Sequence, residues 1–167
     1  RLSAIGDVCH AVAMVQNIQR QWPETKITWV IGKVEAQLLA GLPGVEFVIF
    51  DKKAGLQGYR DLKAALKGQT FDVLLHMQVA LRASLASLCI KAKVKVGFDS
   101  ARAKEGQWLF TNQKVAAQAS PHVLDGFMAF AEAIGVKATK PQWKMPISDE
   151  DLLWASEQLN TEQKVAV

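Results

Sequence analysis

The first ten residues carry the side chains best suited to chemistry. Ser3, Gly6 and Asp7 follow what reads as the end of a β-strand, and they introduce an amphipathic helix. In an open α/β sheet, ligands bind beyond the carboxyl ends of the strands. A carboxylate there can act as general base toward a substrate hydroxyl, and His10, on nearly the same helix face, can hydrogen-bond to it or to substrate. A plain turn with Asp7 as helix N-cap is the alternative that spacing leaves open.

Basic residues follow several of the later predicted strands, where they would reach the same edge of the sheet. Arginine can hold a carboxylate or phosphate with two hydrogen bonds, which makes Arg82 and Arg102 the favoured candidates for binding an anion. Solvated surface charge is the alternative for most of the set. The full set of basic candidates is Lys52, Lys53, Arg60, Lys63, Arg82, Arg102 and Lys104.

Other site types are disfavoured by the residues present. The glycine fingerprint G-x-G-x-x-G is absent from the first turn, which argues against a dinucleotide-dependent oxidoreductase. Cys9, Cys89 and the three histidines lack zinc-site spacing, so we expect no structural metal. Both cysteines lie in apolar helix-like patterns and are predicted to be buried free thiols in a reducing cytoplasm. His76 is predicted to be a hydrogen-bonded residue at a strand end.

Strand-like and helix-like segments alternate along the chain. Apolar, β-branched runs predict buried strands, and apolar residues at helical spacing predict helices. The expected fold is therefore α/β: Rossmann-like, with a mostly parallel sheet covered by helices on both faces. The predicted strands are 27–31, 45–50, 71–76 and 94–98, and the predicted helices are 7–22, 34–40, 59–66, 81–90, 122–134 and 150–159, with 99–120 mostly loop.

Composition narrows the class of partner. Twenty Lys and Arg against sixteen Asp and Glu give a net charge of +4 over 167 residues, without a dense basic run. A small anionic molecule or a lipid headgroup suits this excess better than nucleic acid. No apolar run approaches the roughly 20 residues of a membrane span.

The two ends of the chain suggest part of a larger protein. Residues 1–160 are expected to form one Rossmann-like domain whose first strand is truncated. Residues 161–167 are expected to be a linker and the start of a second domain, because Lys164–Val167 reads as the beginning of another strand. A disordered tail or an edge strand is the alternative.

The opening pattern R-L-S-A-I-G-D-V-x-H resembles that of the lipopolysaccharide heptosyltransferases, two-domain bacterial enzymes of glycosyltransferase family 9 with a GT-B fold. Weaker similarity covers nearly the whole chain, with the clearest segments at 27–30, 42–45 and 71–84. Within the last of these, His76 and Val79 stand where the family has an acidic residue and a glycine. That departure leaves the identity of the acceptor open.

The resemblance implies the amino-terminal, acceptor-binding half of an inverting enzyme that needs no metal or other cofactor. The second domain, which would start within 161–167, would bind the donor. Such enzymes move heptose from ADP-heptose to the Kdo–lipid A inner core. Asp7 would be the catalytic base, and Arg1 and Ser3 would help to balance the charge of departing ADP. The acceptor-side residues would be Ser3, Gly6, His10, Lys52, Lys53, Arg60, Arg82, Arg102 and Lys104.

The expected partners are a nucleotide-sugar donor and an anionic glycolipid acceptor. The expected location is the cytoplasm, with peripheral contact at the inner face of the inner membrane. This half alone is expected to be inactive. A non-catalytic α/β module that binds an anionic sugar or nucleotide in the same cleft is the alternative function.

Overall fold

A computed structural model of the protein describes residues 1–119 and 122–158, so the predicted interdomain segment 161–167 lies outside the described residues. Helices and strands alternate as expected. The helices are α1 (Ile5–Gln21), α2 (Lys33–Leu38), α3 (Leu56–Ala65), α4 (Leu81–Ser87), α5 (Val123–Ala133) and α6 (Asp149–Gln158); the strands are β1 (Ile27–Ile31), β2 (Val45–Ile49), β3 (Phe71–Leu75), β4 (Ala92–Gly97) and β5 (Gln113–Lys114). A 3₁₀ helix spans Gln107–Phe110.

All strand pairs in the described residues are parallel, which confirms the predicted class. β1 pairs with β2 in a register that places Ile27 opposite Val45, and β4 lies between β3 and β5. Parallel strands need crossover connections, and the intervening helices supply them.

The described strands lie in two parallel sheets, β1–β2 and β3–β4–β5. β1 and β3 line a cavity of about 830 Å³ that separates the sheets. Leu2 bridges them at their carboxyl ends: its carbonyl accepts from Gly32 N–H at 2.9 Å, and its N–H donates to Gln78 Oε1 at 2.9 Å. β1, β2 and β3 are only partly buried, so the prediction of buried strands is wrong there. For β1 and β3 the cause is the cavity that each of them borders.

Helices cover both faces of the strands. One core packs α1 and α5 against the sheet, with Met14 and Phe130 fully buried. A second core lies under α3 and α4 and contains Phe50 and Leu62. The ring of Phe130 meets that of Phe98 edge-on at 4.9 Å between centroids, an arrangement that aromatic quadrupoles favour.

Several predicted boundaries are wrong for local reasons. α1 begins at Ile5, and α3 begins at Leu56, directly after Gly55, whose φ of 54° favours glycine. α4 ends at Ser87 because the next three residues bond to carbonyls three positions back, which tightens the turn. None of the helices in the described residues is long and apolar enough to cross a bilayer. Cys9 and Cys89 are free but half-buried, not buried as predicted.

Candidate active site

Asp7 lies in the first turn of α1, at the carboxyl edge of the strands. Ala4, in an extended conformation, occupies the N-cap position, so the prediction of Asp7 as N-cap is wrong. The carboxylate instead reaches back from the third helical position, where its Oδ2 accepts from Ala4 N–H at 3.4 Å. This is half of a capping box. The Asp7 side chain is 31% exposed, so it borders solvent rather than the protein interior.

Arg1 holds the same carboxylate oxygen. Its Nη2 forms an ion pair with Asp7 Oδ2, its Nη1 donates to Met77 carbonyl at 2.7 Å, and its guanidinium lies over the Phe127 ring at 5.6 Å. Asp7 Oδ1 receives no hydrogen bond from the described residues. The arrangement fixes the carboxylate through one oxygen and leaves the other available to a substrate hydroxyl.

Arg102 is a second anchored arginine at this edge. Its Nε donates to Asp99 Oδ2 at 2.5 Å, and its guanidinium lies over the Phe98 ring at 5.2 Å. Burial raises the pKa of the Asp99 carboxyl, but the Arg102 side chain and the backbone N–H groups of Arg102 and Ala101 lower it by more. The net pKa is below the usual value, so the pair is ionised and holds the guanidinium in place.

Helix α5 brings these groups together. Phe127 lies under Arg1, and Arg102 Nη1 approaches the neighbouring Gly126 so closely that a Cβ there would lie 2.9 Å from it. The exposed His122 begins the helix, and its Nδ1 accepts from Leu124 N–H at 3.2 Å. The first half of α5 therefore forms one wall of the candidate site.

His10 completes that wall from α1. Its ring meets the His122 ring edge-on at 5.8 Å and the Trp143 ring at 6.5 Å. Its Nδ1 is buried without a hydrogen-bond partner among the described residues, as are Arg1 Nε and Arg102 Nη2. Buried polar atoms normally have partners. Three unpaired nitrogens around one site, two of them on guanidinium groups, indicate a place for an anionic ligand.

The remaining predicted residues divide into two groups. Lys52 forms an ion pair with the buried Glu35 at 3.5 Å, beside Gly32 at the end of β1, and Ser3 and Gly6 lie in the turn next to Asp7. A Cβ on Gly6 would meet nothing within 4 Å, so this position faces open space. The others have exposed side chains, and in the described residues none of their charged groups forms a hydrogen bond or ion pair with this cluster: Lys53, Arg60, Lys63, Arg82 and Lys104.

His76 is hydrogen-bonded at the end of β3, as its sequence position indicated. Its Nε2 lies 3.0 Å from Ser84 Oγ, and its carbonyl accepts from Gln107 Nε2 at 2.8 Å. Burial, with smaller contributions from nearby positive charge, lowers the pKa of His76 to about 4. The imidazole is therefore neutral at pH 7 and serves structure rather than ligand binding.

Comparison with known proteins identifies the family. The model of glycosyltransferase family 9 (heptosyltransferase) matches residues 59–167. The chain belongs to glycosyltransferase family 9. OpsX, a lipopolysaccharide core heptosyltransferase of Haemophilus influenzae, is 51% identical over 164 residues, which cover 98% of this chain and 47% of OpsX.

Solved structures of family 9 proteins share the fold. E. coli heptosyltransferase WaaC, in a structure with ADP-2-deoxy-2-fluoro heptose, superposes with a TM-score of 0.74 at 22% identity, covering 84% of this chain and 49% of WaaC. A family 9 protein of Veillonella parvula gives 0.76 at 20% identity, over 97% of this chain and 49% of that one. The chain spans about half the length of these relatives. The predicted fold, that of one half of a GT-B enzyme, is confirmed.

Sequence reasoning missed several residues that shape this family 9 site. Asp99 was assigned to a loop, yet it anchors Arg102, and the Asp-x-x-Arg spacing was a usable signal. Gln107 is fully buried and bonds to carbonyls of His76 and Gln78 and to Phe98 N–H, which ties the strand ends together. Nothing in the local sequence marks it as different from an exposed loop glutamine.

The described residues contain no group of three or more His, Cys, Asp or Glu side chains positioned to hold a metal ion. The cationic groups at the site are instead arginines. Metal independence remains a prediction.

Proposed function

We propose that this chain supplies the acceptor-binding half of an inverting heptosyltransferase, which moves heptose from ADP-heptose to the Kdo–lipid A inner core of lipopolysaccharide. The related OpsX is named for lipopolysaccharide core heptose transfer, and WaaC has been solved with an ADP-heptose analogue. The observation that carries the proposal in this chain is Asp7: a partly exposed carboxylate, fixed through Oδ2 and free at Oδ1.

Asp7 suits the role of general base. An acceptor hydroxyl is a weak nucleophile until its proton is removed, so Oδ1 takes that proton as the hydroxyl oxygen attacks the anomeric carbon. The bond from that carbon to ADP breaks on the opposite face, and ADP leaves with the electron pair. Arg1 keeps the carboxylate oriented during the step, and no metal takes part.

The acceptor in this proposal is anionic, and the unpaired nitrogens support that class. Asp99 holds Arg102 through Nε, and Nη2 has no hydrogen-bond partner in the described residues. A planar guanidinium anchored in this way is suited to a carboxylate or phosphate. Ser3, Gly6, His10 and Lys52 would contact the acceptor nearby. We place the reaction in the cytoplasm, at the inner face of the inner membrane. Nucleic acid takes no part in the proposed reaction.

The decisive experiment compares the full-length protein with its Asp7→Asn variant, which keeps an oxygen to accept from Ala4 N–H. We expect kcat to fall by about 10²- to 10⁴-fold, the usual contribution of a positioned general base. The thermal unfolding midpoint should change little. Turnover near the wild-type rate would remove Asp7 from the mechanism.

A second experiment tests the alternative of a non-catalytic binding module. Titration of wild-type protein with ADP-heptose and a labelled acceptor measures binding, and chromatography of the mixture measures product. Saturable binding without product would favour the module and overturn the transferase proposal.

A further inference from the structure

Helix α4 has its apolar side chains on the unexpected side. The residues that face the core are small or hydroxylic: Ala83, Ser84, Ala86 and Ser87. The three leucines face outward at helical spacing, with Leu81 48%, Leu85 41% and Leu88 62% exposed. A surface helix of a globular domain normally has the opposite arrangement. The packing of the described residues gives no reason for this leucine stripe.

The 3₁₀ helix extends the stripe into a patch. The 3₁₀ helix packs against α4. Glu105, two residues before the 3₁₀ helix, accepts a hydrogen bond from Leu81 N–H at 2.6 Å through Oε2. The large side chains of the 3₁₀ helix point outward, with Trp108 58% and Leu109 67% exposed. We call these five residues, Leu81, Leu85, Leu88, Trp108 and Leu109, the apolar patch. Exposed apolar patches of this kind mark interaction sites.

Positive charge predominates in the segments that carry the apolar patch and in α3, whose Tyr59 contacts Arg82 and Cys89. Residues 56–67, 81–91 and 104–110 contain six Lys and Arg but only two Asp and Glu, an excess equal to the net charge of the entire chain. Lys63 is close enough to Cys89 to influence the pKa of its thiol, which burial raises overall, so this lysine lies near the Leu88 end of the patch. Lys91 follows at the same end, and Arg82 and Lys104 flank the other.

We propose that the apolar patch inserts into the headgroup region of an anionic bilayer while the surrounding basic residues contact lipid phosphates. Leucine and tryptophan with a basic border are the composition of surfaces that lie in a membrane interface. Basic residues outnumber acidic ones three to one in these segments, which favours anionic lipid. A protein partner or a second copy of this chain would need acidic complementarity to this border.

The position of the apolar patch relates it to the proposed function, on which this part of the inference rests. Leu81 follows β3 and the 3₁₀ helix follows β4, so the patch starts near the strand ends that border the candidate site. A glycolipid acceptor held in a bilayer would then present its sugar headgroup near Asp7 without leaving the membrane.

The test is sedimentation of the full-length protein with vesicles, without acceptor or donor. Wild-type protein should sediment with phosphatidylglycerol-containing vesicles and much less with pure phosphatidylcholine. The triple variant Leu85→Gln, Leu88→Gln, Trp108→Gln should lose at least about tenfold in affinity. Lys63→Gln and Lys91→Gln should each lose about fivefold, with weaker binding at high salt.

Helix α6 offers a matched control. Leu152, Leu153 and Trp154 are exposed at 53%, 64% and 65%, and their replacement by Gln removes the same three side-chain types from another surface. That control should bind vesicles as wild type does. Equal loss in both triple variants, or no binding by the wild type, would overturn the proposal. So would a change of oligomeric state confined to the patch variant, which would assign the surface to a second copy.

Transfer to a water-soluble acceptor without acyl chains separates this inference from the proposed function. The patch variant should retain wild-type turnover on that substrate, since none of its three residues lies in the catalytic site. Vesicle binding by a wild-type protein that transfers no heptose would leave the membrane surface standing and remove the transferase proposal. Heptose transfer by a wild-type protein that does not bind vesicles would support the transferase proposal and remove the membrane surface.

Discussion

Asp7 and Arg102 are each held by a group of opposite charge, yet each keeps one polar atom without a partner in the described residues. For Asp7 the holding group is Arg1, and for Arg102 it is Asp99. A charged side chain fixed in this way loses little conformational freedom when a ligand binds, and preorganised groups of this kind favour catalysis. The proposed function assigns these unpaired atoms to the acceptor.

Arg102 gives a residue-level prediction. Arg102→Lys keeps the positive charge but loses the planar fork, so it cannot bond to both Asp99 and an acceptor anion. We expect KM for the acceptor to rise about tenfold or more in the full-length protein, with a smaller change in kcat. Steady-state kinetics would measure both. Arg20→Lys, on the distant end of α1, is the matched control, and an equal rise in its KM would contradict the assignment.

His76 gives a prediction about pH. Burial lowers its pKa to about 4 from 6.5, so the folded protein takes up the proton less readily than the unfolded chain does. Above pH 6.5 His76 is neutral in both states and contributes no pH dependence. Between pH 6.5 and 4 the unfolded state binds more protons, so the free energy of unfolding falls as pH falls, by about 3 kcal/mol in total.

Urea denaturation of this chain at pH 7 and pH 4.5 would measure that loss. His76→Gln should give a flatter dependence over the same window, whereas replacement of the exposed His122 by Gln should retain the slope. Asp72 and Asp99 have lowered pKa values, so their contributions change only below this window. The same slope in His76→Gln as in wild type would contradict the prediction.

At the level of secondary structure, the contact between α1 and α5 positions the site. α1 carries Asp7 and His10, whereas α5 supplies Phe127 beneath Arg1 and Gly126 beside Arg102. The two helices pack through a fully buried interface in which Phe130 is 0% exposed. Any change in that packing therefore moves both arginines relative to the carboxylate.

Phe130→Ala tests this dependence. Removal of a fully buried aromatic ring should lower the free energy of unfolding by about 3–5 kcal/mol. Phe130→Leu, which keeps most of the volume, should cost less than about 1.5 kcal/mol. Chemical denaturation measures both variants, and acceptor titration should show weaker binding in the alanine variant only. Equal stability of the two variants would contradict a tightly packed interface here.

At the scale of the entire chain, the proposed function separates acceptor binding, which this chain performs, from heptose transfer, which needs the full-length protein. This chain spans about half the length of its relatives, and its site contains the proposed base and acceptor groups. We therefore expect the 167-residue chain to bind a soluble, anionic acceptor analogue but to release no ADP from ADP-heptose. Calorimetry measures the binding, and a coupled assay measures ADP. ADP release at a rate close to that of the full-length protein would contradict the division.

Local pattern was sufficient for the class of fold and to nominate Asp7, whose catalytic role stays a prediction. The alternation of apolar strands with amphipathic helices already indicates parallel pairing. Both patterns can be read from the sequence because each depends on residues a few positions apart. Asp7 could be found in the same way, since its motif occupies ten consecutive residues. Its helix boundary was wrong because Ala4, which has no side-chain oxygen, left the cap to a residue inside the helix.

Contacts between residues far apart in the sequence decided how the site is assembled. Phe127 and Gly126 come to Arg1 and Arg102 through the register in which α5 packs on α1, and no periodicity within either helix encodes that register. The same cause separated the anchored Arg102 from the exposed Arg82, which look equivalent in the sequence. Side-chain charge is a property of the residue, but its partners and its access to solvent are properties of neighbours far away along the chain.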